Sequence, residues 1–87
     1  MFYVYLIENL VDKSWYTGFT TDIEKRLRDH NQKIGGEYTG KKTGEWKLIY
    51  FEAYLEKSDA LGRERFLKSG SGRRFLKKQL TNYFLKK

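Results

Sequence analysis

The sequence predicts an α+β fold, a small three-stranded antiparallel sheet flanked by helices in the order β-β-α-β-α-α. Three observations carry that prediction. Residues 2–8, 14–19 and 46–55 are short runs rich in β-branched and aromatic side chains. Residues 21–31 and 58–68 place apolar side chains at helical spacing. A third amphipathic stretch follows Gly70-Ser71-Gly72 and runs to about Leu85.

Taken in order, Phe2 to Glu8 reads as the first strand, Asn9 to Lys13 as a turn, and Ser14 to Phe19 as the returning strand of a hairpin. Strand alternation puts Tyr3 and Tyr5 on one face. Thr21-Asp22-Ile23-Glu24 has the form of a capping box, in which the Thr hydroxyl and the Glu side chain satisfy free amides, so the first helix opens directly after the hairpin. Residues 32–45 carry Gly35, Gly36, Gly40 and Gly44 among Lys33, Lys41 and Lys42 and read as a long mobile loop. Trp46 to Leu55 is the third strand, and its apolar run Leu48-Ile49-Tyr50-Phe51 is that of a central strand covered on both faces. Ser58 is the expected N-cap of the second helix, and Gly70-Ser71-Gly72 is the expected break before the third.

A length of 87 residues implies a single domain, 1–87, whose thin core makes every buried charge matter. With 39% hydrophobic and 17% aromatic residues the chain has the material for a folded core, so disorder is not expected. The absence of cysteine excludes disulfides and thiolate metal sites, and one histidine cannot build a zinc site. No apolar run approaches the roughly 20 residues needed to cross a bilayer, and Met1-Phe2-Tyr3 begins as a strand rather than as a basic leader. A cytoplasmic protein with no membrane partner is the expectation.

Charge is unevenly distributed. Residues 1–62 hold nine Lys/Arg against ten Asp/Glu, whereas residues 63–87 hold nine Lys/Arg against Glu64 alone, so the net charge of +7 belongs to the C-terminal quarter. Arg73, Arg74, Lys77 and Lys78 cluster there, on a helix whose other face carries Leu76, Leu80, Tyr83 and Phe84. This suits a polyanion, with DNA the first candidate and an anionic membrane surface the rival.

Three charged or titratable residues occupy core-facing stripes. Ile23, Arg26, Leu27 and His30 share one helical face, and Ala60, Leu61, Glu64 and Leu67 share another. A carboxylate in such a stripe needs a partner, a metal or a proton. Arg63 and Arg65 flank Glu64 in sequence and offer a plain ion pair as the simplest partner.

The ordered set Tyr3-Val4-Tyr5, Tyr16-Thr17-Gly18, Arg26, His30 and Glu64 resembles the GIY-YIG nuclease family, in particular small stand-alone domains similar to the N-terminal nuclease module of the UvrC excision-repair subunit. The likeness covers essentially the whole chain. Tyr3 stands where the first family motif has glycine, and Phe19 stands where the excision-repair branch often has lysine. The resemblance implies hydrolysis of DNA phosphodiester bonds, in repair or processing, with one Mg²⁺ or Mn²⁺ on Glu64 and no small-molecule cofactor. It implies Tyr5, Tyr16, Arg26, His30 and Glu64 as the catalytic set, and Asn82 as a further candidate on the last helix. Arg26 offers a charged fork matched to phosphate oxygens. For the general base the resemblance favours Tyr16, whereas ordinary proton affinity favours His30. The alternative reading is a binding module that keeps the fold without turnover, although such a module has no need of a carboxylate facing phosphate.

Overall fold

In the computed structural model, residues 1–34 and 37–86 are described. β1 (Phe2–Asn9), β2 (Trp15–Thr20) and β3 (Trp46–Tyr54) form one antiparallel sheet in the order β2-β1-β3. α1 (Ile23–Asn31) and the short α2 (Glu37–Lys41) accompany one face, and α3 (Lys57–Lys68) and α4 (Gly70–Gln79) pack on the other, followed by α5 (Thr81–Leu85). The expected order is kept, with α2 and α5 as additions.

The hairpin turn is built by Asn9, whose side-chain oxygen accepts from the amides of Val11 and Asp12 at 2.9 and 3.1 Å. Its register pairs Tyr5 with Gly18 and Ile7 with Tyr16. α1 opens one residue later than the capping box expects. Asp22, not Thr21, is the N-cap, its carboxylate accepting from the Lys25 amide at 3.1 Å. A carboxylate serves this role as well as a hydroxyl and also meets the positive end of the helix.

Five further expectations are corrected. The central strand is β1, whose residues Val4 to Asn9 are all buried, and β3 is an edge strand. Pairing jumps from Leu6–Tyr50 to Ile7–Leu48, so one extra residue sits on β3 at this bulge. Ile49 and Tyr50 consequently both reach the α3/α4 side, while Leu48 joins the α1 side. The apolar run thus marks a bulge, not burial on both faces. The second helix starts at Lys57 with Glu56 as its cap, which leaves Ser58 inside the first turn. Gly70-Ser71-Gly72 is itself the first turn of α4, capped by the Ser69 hydroxyl, which accepts from the Gly72 amide at 3.1 Å. The third amphipathic stretch is two helices that meet at Leu80. Residues 32–45 hold α2 rather than an uninterrupted loop, although Gly35 and Gly36 lie outside the described residues.

Candidate active site

Tyr5, Ile7 and Trp46 form the buried cluster on the α1 side, with Tyr16, Leu27 and Leu48 around it. The Tyr5 ring crosses its strand partner Gly18: a Cβ at that position would fall 2.3 Å from the Tyr5 hydroxyl. Gly18 therefore leaves the room in which the phenol lies across β2. Tyr16 packs edge-on against the His30 ring at 5.1 Å and stacks on Tyr38 of α2 at 6.0 Å.

His30, wholly buried at the end of α1, is held at both nitrogens. Its Nε2 lies 2.8 Å from the Tyr5 hydroxyl, and its Nδ1 lies 2.8 Å from the hydroxyl of Thr39, another buried residue of α2. The Arg26 guanidinium, which has donors only, hydrogen-bonds the Tyr5 oxygen.

The ionisation of these groups follows from the same packing. Burial, then the neighbouring Tyr16, raises the Tyr5 phenol well above the usual tyrosine range against the opposing pull of Arg26. Burial, then the Arg26 charge, lowers the His30 imidazole to about 4. Both groups are uncharged near neutral pH and act as a fixed hydrogen-bond relay.

Glu64 comes from α3, on the opposite side of the sheet, and its charge is nonetheless felt at the Tyr5 phenol, which it raises while Arg26 lowers it. Its side chain is 17% exposed and pairs with Lys68 at 3.2 Å, one turn further along α3. Arg63 does not take Glu64. Its guanidinium instead binds both oxygens of Glu52 on β3, at 2.9 and 3.0 Å, where Tyr50 and Tyr54 also donate. Burial would push the Glu52 carboxyl up, but these donors hold it below the usual carboxylate range. This two-point clamp ties α3, the helix that carries Glu64, to β3.

Among the described residues no three His, Cys, Asp or Glu side chains converge as metal ligands. An all-protein cage is thus a poor fit, whereas one half-buried carboxylate suits an ion that keeps most of its water.

The basic residues of α4 are all exposed and divide between two sides. Arg73 and Lys77 border a cleft with Trp15 and Tyr38, while Arg74 and Lys78 lie around Phe75 and Thr81, with Lys77 reaching both. Asn82 is exposed on α5. Sequence reasoning missed Thr39 and Tyr38, which lie in a segment without periodicity, and the Lys68 partner of Glu64, which its i, i+4 spacing could have suggested.

The family model for the GIY-YIG catalytic domain matches residues 1–79. The chain belongs to the GIY-YIG family. Members of this family are generally endonucleases, so the domain is a nuclease fold. A UPF0213 protein of Haloquadratum walsbyi is 46% identical over 67 residues, which cover 77% of this chain and 73% of that protein. One from Clostridium perfringens is 43% identical over 68 residues, covering 78% and 71%. The solution NMR structure of a UPF0213 protein from Bacillus halodurans matches with a TM-score of 0.53 and 37% identity, over 95% of this chain and 85% of that one. These similarities place the GIY-YIG domain here in the company of small stand-alone members.

Proposed function

We propose that this GIY-YIG domain, spanning 1–87 as one unit, is a metal-dependent endonuclease that hydrolyses DNA phosphodiester bonds in repair or processing in the cytoplasm. The observation that carries the reading is the packing of Tyr16 against Tyr5 and His30, with ring centroids 6.4 and 5.1 Å apart, at a phenol that also feels the charges of Arg26 from α1 and Glu64 from α3. Phosphodiester hydrolysis needs an activated water, a cation for the charge growing on the non-bridging oxygens, and help for the leaving oxygen.

Arg26 supplies the fixed cation, steadied by the Ile34 carbonyl at 3.5 Å and by Asp29 at 4.0 Å. Glu64 would hold one Mg²⁺ or Mn²⁺ in place of the exposed ammonium of Lys68, a surface pair of low intrinsic strength. Bound there, such an ion supplies Lewis-acid charge at the phosphate. Tyr16, in its phenolate form, is the group that takes the proton from water, becoming the neutral phenol as hydroxide attacks phosphorus. His30 is unsuited to that task because it is buried, engaged at both nitrogens and lowered to about 4. Tyr5 stays a neutral donor that orients its neighbours. Arg73, Arg74, Lys77 and Lys78 contact the DNA backbone.

The test is incubation with plasmid and branched DNA, with and without Mg²⁺ or Mn²⁺. Cleavage is expected only with metal, and Glu64→Gln should abolish it while DNA affinity stays equal or rises. Metal-dependent cleavage that persists unchanged in Glu64→Gln would overturn the assignment.

A further inference from the structure

Two adjoining cavities of about 380 and 320 Å³ share Trp15, Tyr38 and Arg73 in their walls, and the smaller is also lined by Tyr16. Each lies in the range of roughly 300–1,000 Å³ typical of small-ligand clefts. The shared wall is aromatic and cationic. Trp15 is backed by Phe84, stacked at 5.3 Å, and the Arg73 guanidinium lies 5.7 Å from its ring. Across from it, Tyr38 is 46% exposed and stacks on Tyr16. Lys68 stands in the cavity nearer Glu64, and Lys77 in the other. The carboxylate bordering the cleft, Glu8, is only 1% exposed and receives the Trp15 indole N–H at 3.2 Å and the Tyr83 hydroxyl at 2.6 Å. The cleft therefore presents positive charge and partly exposed rings to solvent, with the Lys42 ammonium 5.2 Å from the Tyr38 ring as a further cation that an entering base would meet.

We infer that this cleft holds an unpaired nucleobase of the substrate strand, between Tyr38 and the Trp15–Arg73 wall, with the flanking phosphates on Lys68, Arg73 and Lys77. This rests on the nuclease reading and adds the kind of substrate. Aromatic platforms interleaved with cations capture bases by stacking, whatever their sequence. A base inside a duplex has both faces covered and cannot enter. Stacking of Tyr38 on Tyr16 makes occupancy of the cleft and placement of the scissile phosphate one event. The substrate thus carries an unpaired nucleotide next to the cut, as in a free strand, a flap or a bulge.

The experiment measures binding by fluorescence anisotropy with the Glu64→Gln protein, so that turnover plays no part. The probes are a labelled oligothymidylate, a strand of the same length with abasic residues, and a hairpin duplex. Oligothymidylate should bind at least about 5-fold tighter than the abasic strand, the lower end of what one stacked base contributes. Tyr38→Phe should keep that preference and Tyr38→Ala should remove it. Arg73→Gln, at an exposed position, should weaken both single strands relative to wild type. Equal affinity for the two single strands, or a preference that survives Tyr38→Ala, would overturn the inference. A base preference in a wild-type protein that cuts no DNA would leave the cleft standing and remove only the nuclease reading.

Discussion

The two faces of the sheet are buried to the same depth with different chemistry. Toward α3 and α4 the core is Val4, Leu6, Ala60, Leu67 and Leu76, each no more than 1% exposed. Toward α1 and α2 the fully buried groups include His30 and Thr39, joined through Tyr5 in a hydrogen-bonded chain. Burying an imidazole and a hydroxyl costs free energy unless every donor and acceptor is matched, so this face is worth less as a core than aliphatics would be. In a chain of this size that arrangement marks the face with a task beyond stability. The aliphatic face contributes the stability, and through α3 it also lends Glu64 to the site.

Two glycines offer the sharpest way to break this contrast. A Cβ at Gly72 would fall 1.9 Å from the Phe66 carbonyl oxygen and 2.5 Å from the Leu67 Cα, so α3 and α4 would have to separate. Gly72→Ala should destabilise by more than the roughly 1–3 kcal/mol usual for overpacking, read as a large drop in the urea midpoint. Gly18→Ala would drive the Tyr5 ring, which cannot bend, away from His30. It should remove cleavage under conditions where the protein is still folded by circular dichroism.

Next in size is a matched pair of substitutions. Leu67→Ala on the aliphatic face should cost about 2–5 kcal/mol of stability with little change in the cleavage rate per folded molecule. Arg26→Lys keeps the charge but loses the fork, and should cost about 100-fold or more in rate with little change in stability. Similar effects of both on both readouts would erase the distinction.

A third expectation concerns pH. The His30 imidazole, lowered from 6.5 to about 4 in the folded protein, stays neutral there while the unfolded chain takes up a proton. Its contribution is therefore complete above pH 6.5 and is lost as pH falls toward 4, amounting to about 3 kcal/mol at the lower end. Urea titrations from pH 7 to 5 should show a steeper loss for wild type than for His30→Gln.

What was legible follows the same division. Strand parity and helix spacing are local rules, so Tyr5 could be placed on one face of its strand, and Arg26 and His30 on one face of their helix, from the sequence. Glu64 was legible as a charge in an apolar stripe, but its place depends on the Glu52–Arg63 clamp between elements. The edge position of β3 was hidden because a bulge at Ile49 produces the same apolar run as a central strand. α2 was hidden because five residues in a glycine-rich segment show no period, and with it went Tyr38 and Thr39. The break at Leu80 escaped notice because leucine there continues the apolar spacing.

The smallest effect should come from the exposed side of α4. Neutralising Arg74, Lys77 and Lys78 together should reduce the slope of log affinity against log salt by about two to three units, at roughly 0.9 per phosphate contact on duplex. Cleavage at saturating DNA should survive, because these side chains lie outside the group around Tyr5.

The central claim is that Tyr16, resting on the buried relay of Tyr5, His30 and Thr39, performs the proton transfer. Single-turnover cleavage by Tyr16→Phe and His30→Gln, with urea midpoints recorded for both, tests it most directly. The account requires Tyr16→Phe to keep its midpoint and lose cleavage, and His30→Gln to lower the midpoint and slow cleavage without abolishing it. A folded Tyr16→Phe that cuts at the wild-type rate, beside a folded and inactive His30→Gln, would contradict it and move the base to His30.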